Sequence, residues 1–150
     1  MHEKFSTDPQ LLERLSKDYV YQGKPDYAYV ANDLQAASEI LAHCNAKQIP
    51  ITFCGSQTSM TGSSAADSGL ALALEKQNKI LDIGVDSKTK EAFVITEPGV
   101  ILGDLKRAVQ AEGYFYPPDP TSFNEAQIGA TIATNATGSD TYKYGPTRWH

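Results

Sequence analysis

Residues 51–64, ITFCGSQTSMTGSS, pass abruptly from an apolar run into a polar loop that contains no charged residue. The β-branched and aromatic residues 49–53 predict a buried strand that leads directly into this loop. Gly55 and Gly62 permit the positive φ values from which an anion-binding nest is built. Because no Lys or Arg lies between Phe53 and Ala66, an anion bound here would be held by backbone N–H and hydroxyl groups.

The loop does not match the common nucleotide-binding fingerprints. A Walker loop requires Lys after its second Gly, and a GxGxxG loop requires three closely spaced Gly residues before a helix, whereas Gly55 and Gly62 precede an apolar strand. A solvated surface turn therefore remains an alternative. A second small-residue segment, IGATIATNATG at 128–138, is explained either by tight packing of a buried turn or by close approach of a flat ligand. Two such segments in one chain favour a binding site.

Composition excludes several classes of function. The chain has 150 residues and a formal charge of −5, which predicts one domain or part of one. It has no basic run for nucleic acid. Its two cysteines form no CxxC motif, which favours a reducing, cytoplasmic setting. No stretch predicts a transmembrane segment or a targeting signal. No His or Cys spacing predicts a metal site, and no GxSxG motif predicts a hydrolase.

The hydrophobic pattern predicts mixed helix and strand. Apolar residues recur at helical spacing in a short N-terminal helix, in a second helix to about Lys47 and in a third at 102–112, which Gly113 ends. Short apolar runs predict strands at 27–30, 49–53 and 69–74, and a hairpin formed by 79–85 and 91–96. This order predicts an α+β fold and not an alternating βαβ one.

The ordered set of motifs PITFCGSQTSMTG, EPGVILGDLKRAVQAEGY, PPDPTS, IGATIATNATG and YKYG resembles the N-terminal part of the FAD-linked oxidase family. The flavin domain of that family is of the p-cresol methylhydroxylase or vanillyl-alcohol oxidase type, and the likeness is greatest to its D-lactate dehydrogenase and glycolate oxidase group. The resemblance implies an N-terminal helical extension at 1–24 and the first part of an FAD-binding domain at 25–150. It also implies a truncated chain that is inactive by itself.

The resemblance assigns two sets of FAD contacts. The first loop is expected to wrap the FAD pyrophosphate, and the second segment to lie along the isoalloxazine and ribityl portions. Cys54 stands where the family often has Arg, and Ala130 stands where a second Gly is usual. The implied cofactor-binding residues are Cys54, Gly55, Ser56, Gln57, Thr58, Ser59, Thr61, Gly62, Pro118, Asp119, Gly129, Ala130, Asn135, Ala136, Gly138, Tyr144 and Gly145.

The resemblance also implies a function. We expect an FAD-dependent oxidoreductase that oxidises a 2-hydroxy acid of the D-lactate or glycolate type by hydride transfer to flavin. The substrate would be bound with a missing C-terminal part, so no catalytic residue is assigned. The alternatives are a flavin-dependent reductase of the cell-wall precursor type and a noncatalytic polar-ligand domain. Covalent relatives carry the flavin on a histidine in a Gly-Gly-His arrangement; Gln57 stands at that position, which predicts noncovalent FAD.

Overall fold

The computed structural model describes residues 5–150, which divide into two units, one ending at Gln77 and the other beginning at Asn78. The predicted division at residue 25, between an N-terminal extension and the FAD-binding domain, stays a prediction. In the described part of the chain, no helix combines the length and apolar character needed to cross a membrane.

Strand β3 (Leu70–Ala73) is the centre of the first unit, and all four of its residues are buried. It lies between β1 (Tyr27–Val30) and β2 (Ile51–Cys54), and all three strands are parallel. Because side chains alternate along a strand, Leu70 and Leu72 pack in clusters with residues of α2 (Leu34–Lys47), whereas Ala71 and Ala73 pack with Leu15 of α1 (Pro9–Leu15).

Residues at the ends of the two helices of this unit explain where each helix begins or ends. Asp8 caps α1 by accepting a hydrogen bond from the Leu11 N–H, and Pro9 occupies the first helical turn. Asp33 caps α2 by accepting from the Ala36 N–H at 2.7 Å. At the other end of α2, Gln48 takes a left-handed conformation with φ of 53°. The predicted helices are confirmed here.

The predicted α+β class is confirmed for the chain as a whole. Within it, β1, α2 and β2 form one β–α–β unit, because both strands are parallel to β3. The next parallel strand, β3, is reached through the long polar loop and not through a helix. That non-helical connection hides the parallel arrangement from the sequence pattern.

The second unit begins with an antiparallel hairpin of β4 (Ile80–Val85) and β5 (Ala92–Thr96), as predicted. Its turn is capped by Asp86, whose Oδ1 accepts hydrogen bonds from the N–H groups of Lys88 and Thr89, both at 2.8 Å. The inner face of the hairpin packs in a cluster with α3 (Leu102–Ala111) and with Ile128.

Short helices complete the second unit. They are α4 (Ile128–Ala133), α5 (Thr141–Tyr144) and a 3-10 helix (Thr147–Trp149). No helix was predicted at α4, because Gly, Ala and Thr give its six residues no clear apolar period.

We expect Leu72→Ala to destabilise the chain by about 3 kcal/mol, because Leu72 is fully buried in the central strand and truncation leaves a cavity. The matched control is Leu34→Ala on α2, where the side chain is 61% exposed; it should change the free energy of unfolding by less than about 0.5 kcal/mol. Urea unfolding followed by circular dichroism measures both. Equal effects of the two variants would contradict this packing.

Candidate functional site

The polar loop follows the carboxyl end of β2, where ligands commonly bind in parallel sheets. The backbone N–H groups of residues 56–60 donate no hydrogen bond within the described part of the chain. Two buried polar atoms beside them, Gln57 Oε1 and Ser64 Oγ, also have no hydrogen-bond partner among the described residues. The loop therefore offers uncommitted hydrogen-bonding groups, which a polar ligand would satisfy.

The left-handed positions in this loop differ in part from those expected. Gly62 has φ of 76°, as a nest requires, but Gly55 is not among the residues with positive φ. Gln57 adopts the left-handed conformation instead, with φ of 57°. A non-glycine residue in this region is uncommon and needs support from its surroundings.

That support comes from the Gln57 side chain, which points to protein carbonyl groups. Its Nε2 donates to the Ser64 carbonyl at 3.0 Å and to the Leu15 carbonyl at 3.3 Å. The Cys54 thiol, which has one proton to donate, lies within hydrogen-bonding distance of the same two carbonyl groups, 3.3 Å from that of Ser64 and 3.6 Å from that of Leu15. Burial raises the pKa of Cys54 to about 11, so this thiol is neutral at pH 7 and acts as a donor.

The hydroxyl groups of the loop contact one another. Ser59 Oγ lies 3.0 Å from both Thr61 Oγ1 and Ser63 Oγ, and it accepts a hydrogen bond from the Thr61 N–H at 3.1 Å. Thr58 and Ser56 have no such contact in the described part of the chain. The cofactor-binding residues expected in this unit are therefore Cys54 at the end of β2 and residues of the polar loop from Gly55 to Gly62.

In the second unit, the loop of residues 117–120, which we call the PPDP loop, lies against Gly138. A Cβ at Gly138 would collide with the Asp119 carbonyl group, so only glycine fits there without a backbone shift. Lys106 of α3 donates to Asp119 Oδ1 at 2.6 Å and to the Pro118 carbonyl at 3.2 Å. Ser139 donates to Asp119 Oδ2 at 3.2 Å. Lys106 was not identified from the sequence, because nothing in the pattern pairs it with Asp119.

Asn135 and Ala136 lie two and three residues after α4 and are held by residues of the 3-10 helix. Asn135 has a left-handed φ of 51°, and its Oδ1 accepts from the Arg148 N–H at 2.9 Å. The Ala136 carbonyl accepts from Thr147 Oγ1 at 2.7 Å. Thr147 and Arg148 therefore support this turn.

Packing within the second unit explains why Gly129 and Gly145 are glycines. A Cβ at Gly129 would press on Pro98, and the Gly129 N–H donates to the Pro98 carbonyl at 2.9 Å. Gly145, with φ of 89°, lies under the Trp149 ring. Close packing thus accounts for these two glycines, whereas Ala130, one residue after Gly129, is partly exposed.

Tyr144 packs against Phe115 edge to face, with ring centroids 5.6 Å apart. The remaining candidates, Pro118 and Asp119, are buried and partly buried respectively. Within residues 5–150, His, Cys, Asp and Glu side chains form no group of three or more suited to a metal ion.

Residues 25–150 match the family model described as FAD binding domain. Since this match covers most of the chain, the protein belongs to the FAD binding domain family. The family supports FAD as the cofactor.

The chain is 37% identical over 129 residues to the glycolate oxidase subunit GlcD of Bacillus subtilis, covering 85% of this chain and 27% of that protein. It is 36% identical over 129 residues to a D-lactate dehydrogenase of Anaerostipes hadrus, covering 85% of this chain and 26% of that protein. The chain thus spans about a quarter of the length of these relatives.

Among solved structures, alkyldihydroxyacetonephosphate synthase superposes with a TM-score of 0.76 at 16% identity, covering 96% of this chain and 29% of that one. At this identity the likeness concerns the fold alone. The expected FAD-binding fold of the p-cresol methylhydroxylase or vanillyl-alcohol oxidase type is confirmed.

The residues present fit the polar part of FAD. A diphosphate needs several convergent donors, and the polar loop presents uncommitted N–H groups and a left-handed pair, Gln57 and Gly62. No basic side chain is required for this type of binding, since backbone dipoles supply the positive potential.

The ion pair between Lys106 and Asp119 makes the stability of the fold depend on pH. The hydrogen bond from Lys106 lowers the pKa of Asp119, against the opposing effect of burial, and Ser139 adds to the lowering. A carboxyl group whose pKa is lowered on folding stabilises the fold above its unfolded pKa of about 3.9. That contribution is lost as the pH falls through the lower pKa of the folded state.

We therefore expect Asp119→Asn to be less stable than the parent at pH 7, with the difference shrinking below about pH 4. Urea unfolding at pH 7 and pH 3 measures the difference. Asp104→Asn, which breaks an exposed ion pair with Arg107 on the same helix, is the control and should have little effect. A difference for Asp119→Asn that is constant across this range would refute the linkage.

Proposed function

We propose that this chain binds FAD noncovalently, as part of a flavin-dependent oxidoreductase that oxidises a small 2-hydroxy acid. The main support is the uncharged loop after β2, whose backbone N–H groups at 56–60 donate no hydrogen bond among the described residues. The chain also belongs to the FAD binding domain family. The relatives named for glycolate and D-lactate favour a hydroxy acid over a cell-wall precursor as substrate.

The proposed contacts with FAD are divided between two segments. In the polar loop, backbone N–H groups bind the diphosphate, and the hydroxyl groups of Thr58, Ser59 and Thr61 add donors. In the second unit, the small residues allow a flat ring to approach closely. The full proposed set is Cys54, Gly55, Ser56, Gln57, Thr58, Ser59, Thr61, Gly62, Pro118, Asp119, Gly129, Ala130, Asn135, Ala136, Gly138, Tyr144 and Gly145.

Bound FAD would supply the acceptor for the two electrons released when an alcohol carbon becomes a carbonyl carbon. The role of this chain's own residues is to bind and orient the cofactor. The Lys106–Asp119–Ser139 contacts fix the backbone from Pro118 to Asp119 beside Gly138, which holds this segment of the second unit in one conformation.

The noncovalent part of the proposal is supported by the side chains of the loop. Gln57 stands where covalent relatives carry histidine, and its amide is already bonded to two carbonyl groups. Cys54 is buried and its raised pKa of about 11 keeps it from being a thiolate at pH 7. Both cysteines are free and buried, which fits a reducing compartment, and a cytoplasmic location is part of the proposal.

We expect the chain to quench FAD fluorescence on titration and to release all of its flavin when precipitated with acid. Fluorescence of the supernatant and of a denaturing gel measures the release. The control is Cys54→Ala, whose bound flavin should be released by acid as completely as that of the parent, because no bond to sulfur exists. Failure to bind FAD would overturn the proposal; flavin retained in the parent pellet but released by Cys54→Ala would reveal attachment through that thiol.

A further inference from the structure

The segment at residues 15–23, which we call the N-terminal clasp, contacts the polar loop along most of its length. The clasp lies before residue 25, where the family match begins. Its first contact is the Leu15 carbonyl, which accepts hydrogen bonds from Gln57 Nε2 and from the Cys54 thiol. The end of α1 is thereby joined to the start of the loop and to its left-handed residue.

The turn that Asp18 caps makes the second contact. Its Oδ1 accepts from the N–H groups of Val20 and Tyr21, at 3.0 and 2.9 Å, and so shapes the turn of the clasp. The next residue along, Tyr19, donates its backbone N–H to the Ser59 carbonyl at 3.1 Å. The turn that Asp18 organises is therefore bonded directly to the middle of the loop.

Asp18 is held as a carboxylate by its polar surroundings. Burial raises its pKa, but the hydrogen bonds from the N–H groups of Val20 and Tyr21, together with the nearby polar groups of Gly62 and Ser59, more than offset this effect, and the pKa lies below its usual value. Among the described residues, Oδ1 accepts from Val20 and Tyr21, whereas the buried Oδ2 has no hydrogen-bond partner.

Packing completes the clasp. The Tyr21 ring lies against the left-handed Gly62, 3.4 Å from the place that a Cβ would occupy, and the Tyr21 hydroxyl donates to Asp67 at 2.6 Å. A Cβ at Gly23 would collide with the Ala66 carbonyl group. The clasp therefore covers the last part of the loop as well as its middle.

We propose that the N-terminal clasp is a positioning element for FAD binding, in which Asp18 holds the polar loop in the conformation that presents its N–H groups to the diphosphate. The clasp itself donates nothing to the cofactor in this proposal. Its effect is preorganisation: a loop that occupies its binding conformation only part of the time binds more weakly in proportion. The consequence for affinity rests on the proposed function, whereas the effect on loop order does not.

The chain offers a matched control for Asp18. Asp86 caps the turn of the β4–β5 hairpin in the same way, with one carboxylate oxygen accepting two backbone N–H groups, and its pKa is lowered by the Thr89 and Lys88 N–H groups. Asp18→Ala and Asp86→Ala thus remove equivalent caps, and only the first cap shapes a turn that is hydrogen-bonded to the polar loop.

The experiment measures two quantities for the parent chain, Asp18→Ala, Asp18→Asn and Asp86→Ala. One is hydrogen exchange of peptides covering 57–64 in the absence of FAD, and the other is the Kd for FAD from fluorescence quenching. We expect Asp18→Ala to speed exchange in the loop and to raise the Kd by about tenfold. Asp18→Asn, which keeps the oxygen acceptor, should recover part of both, and Asp86→Ala should change neither.

Exchange in the loop that is unchanged in Asp18→Ala, or equally faster in Asp86→Ala, would overturn the proposal. If Asp18→Ala does not fold, Asp18→Asn decides, since loop exchange identical to that of the parent would then refute a role for the charge. A parent chain that binds no FAD but shows the expected exchange pattern would refute the proposed function while leaving the clasp as the element that orders the loop.

Discussion

The polar loop contains no basic side chain, so its capacity to bind an anion depends on the directions of its backbone N–H groups. Those directions are set by the loop's conformation, which includes a left-handed residue, Gln57, that is not glycine. The conformation is held from the protein side, by the hydrogen bonds of Gln57 and Cys54 to the carbonyl groups of Leu15 and Ser64. The small side chains of Ala71 and Ala73 on β3 allow Leu15 to pack close to the sheet.

In the second unit, an ion pair and a close backbone contact hold the loop conformation. Here the half-buried ion pair of Lys106 and Asp119 fixes the PPDP loop, and Gly138 permits the next segment to lie directly on the Asp119 carbonyl. Because a half-buried pair with further hydrogen bonds is more rigid than an exposed one, this arrangement keeps the backbone in place without large side chains. In each unit, therefore, polar contacts hold the backbone of the proposed binding segment in place.

The features that were predictable from the sequence are those that depend on local signals. The Asp33 cap and the apolar spacing after it define α2, and the polar turn at Asp86 defines the hairpin. Contacts between distant residues were not predictable: the sequence contains no signal that joins the turn at Asp18 to Ser59 in the polar loop, or Lys106 to Asp119. The side chain of Gln57 could as well have faced a ligand, and only the fold shows that it faces carbonyl groups.

We infer that FAD contacts residues 54–62 and 129–138. Hydrogen exchange of the chain, measured with and without saturating FAD, distinguishes these segments from the rest of the fold. We expect slower exchange in peptides from both segments and no change at the hairpin turn around Asp86. Protection confined to the hairpin or to α2, with both segments unaffected while FAD is bound, would refute this inference.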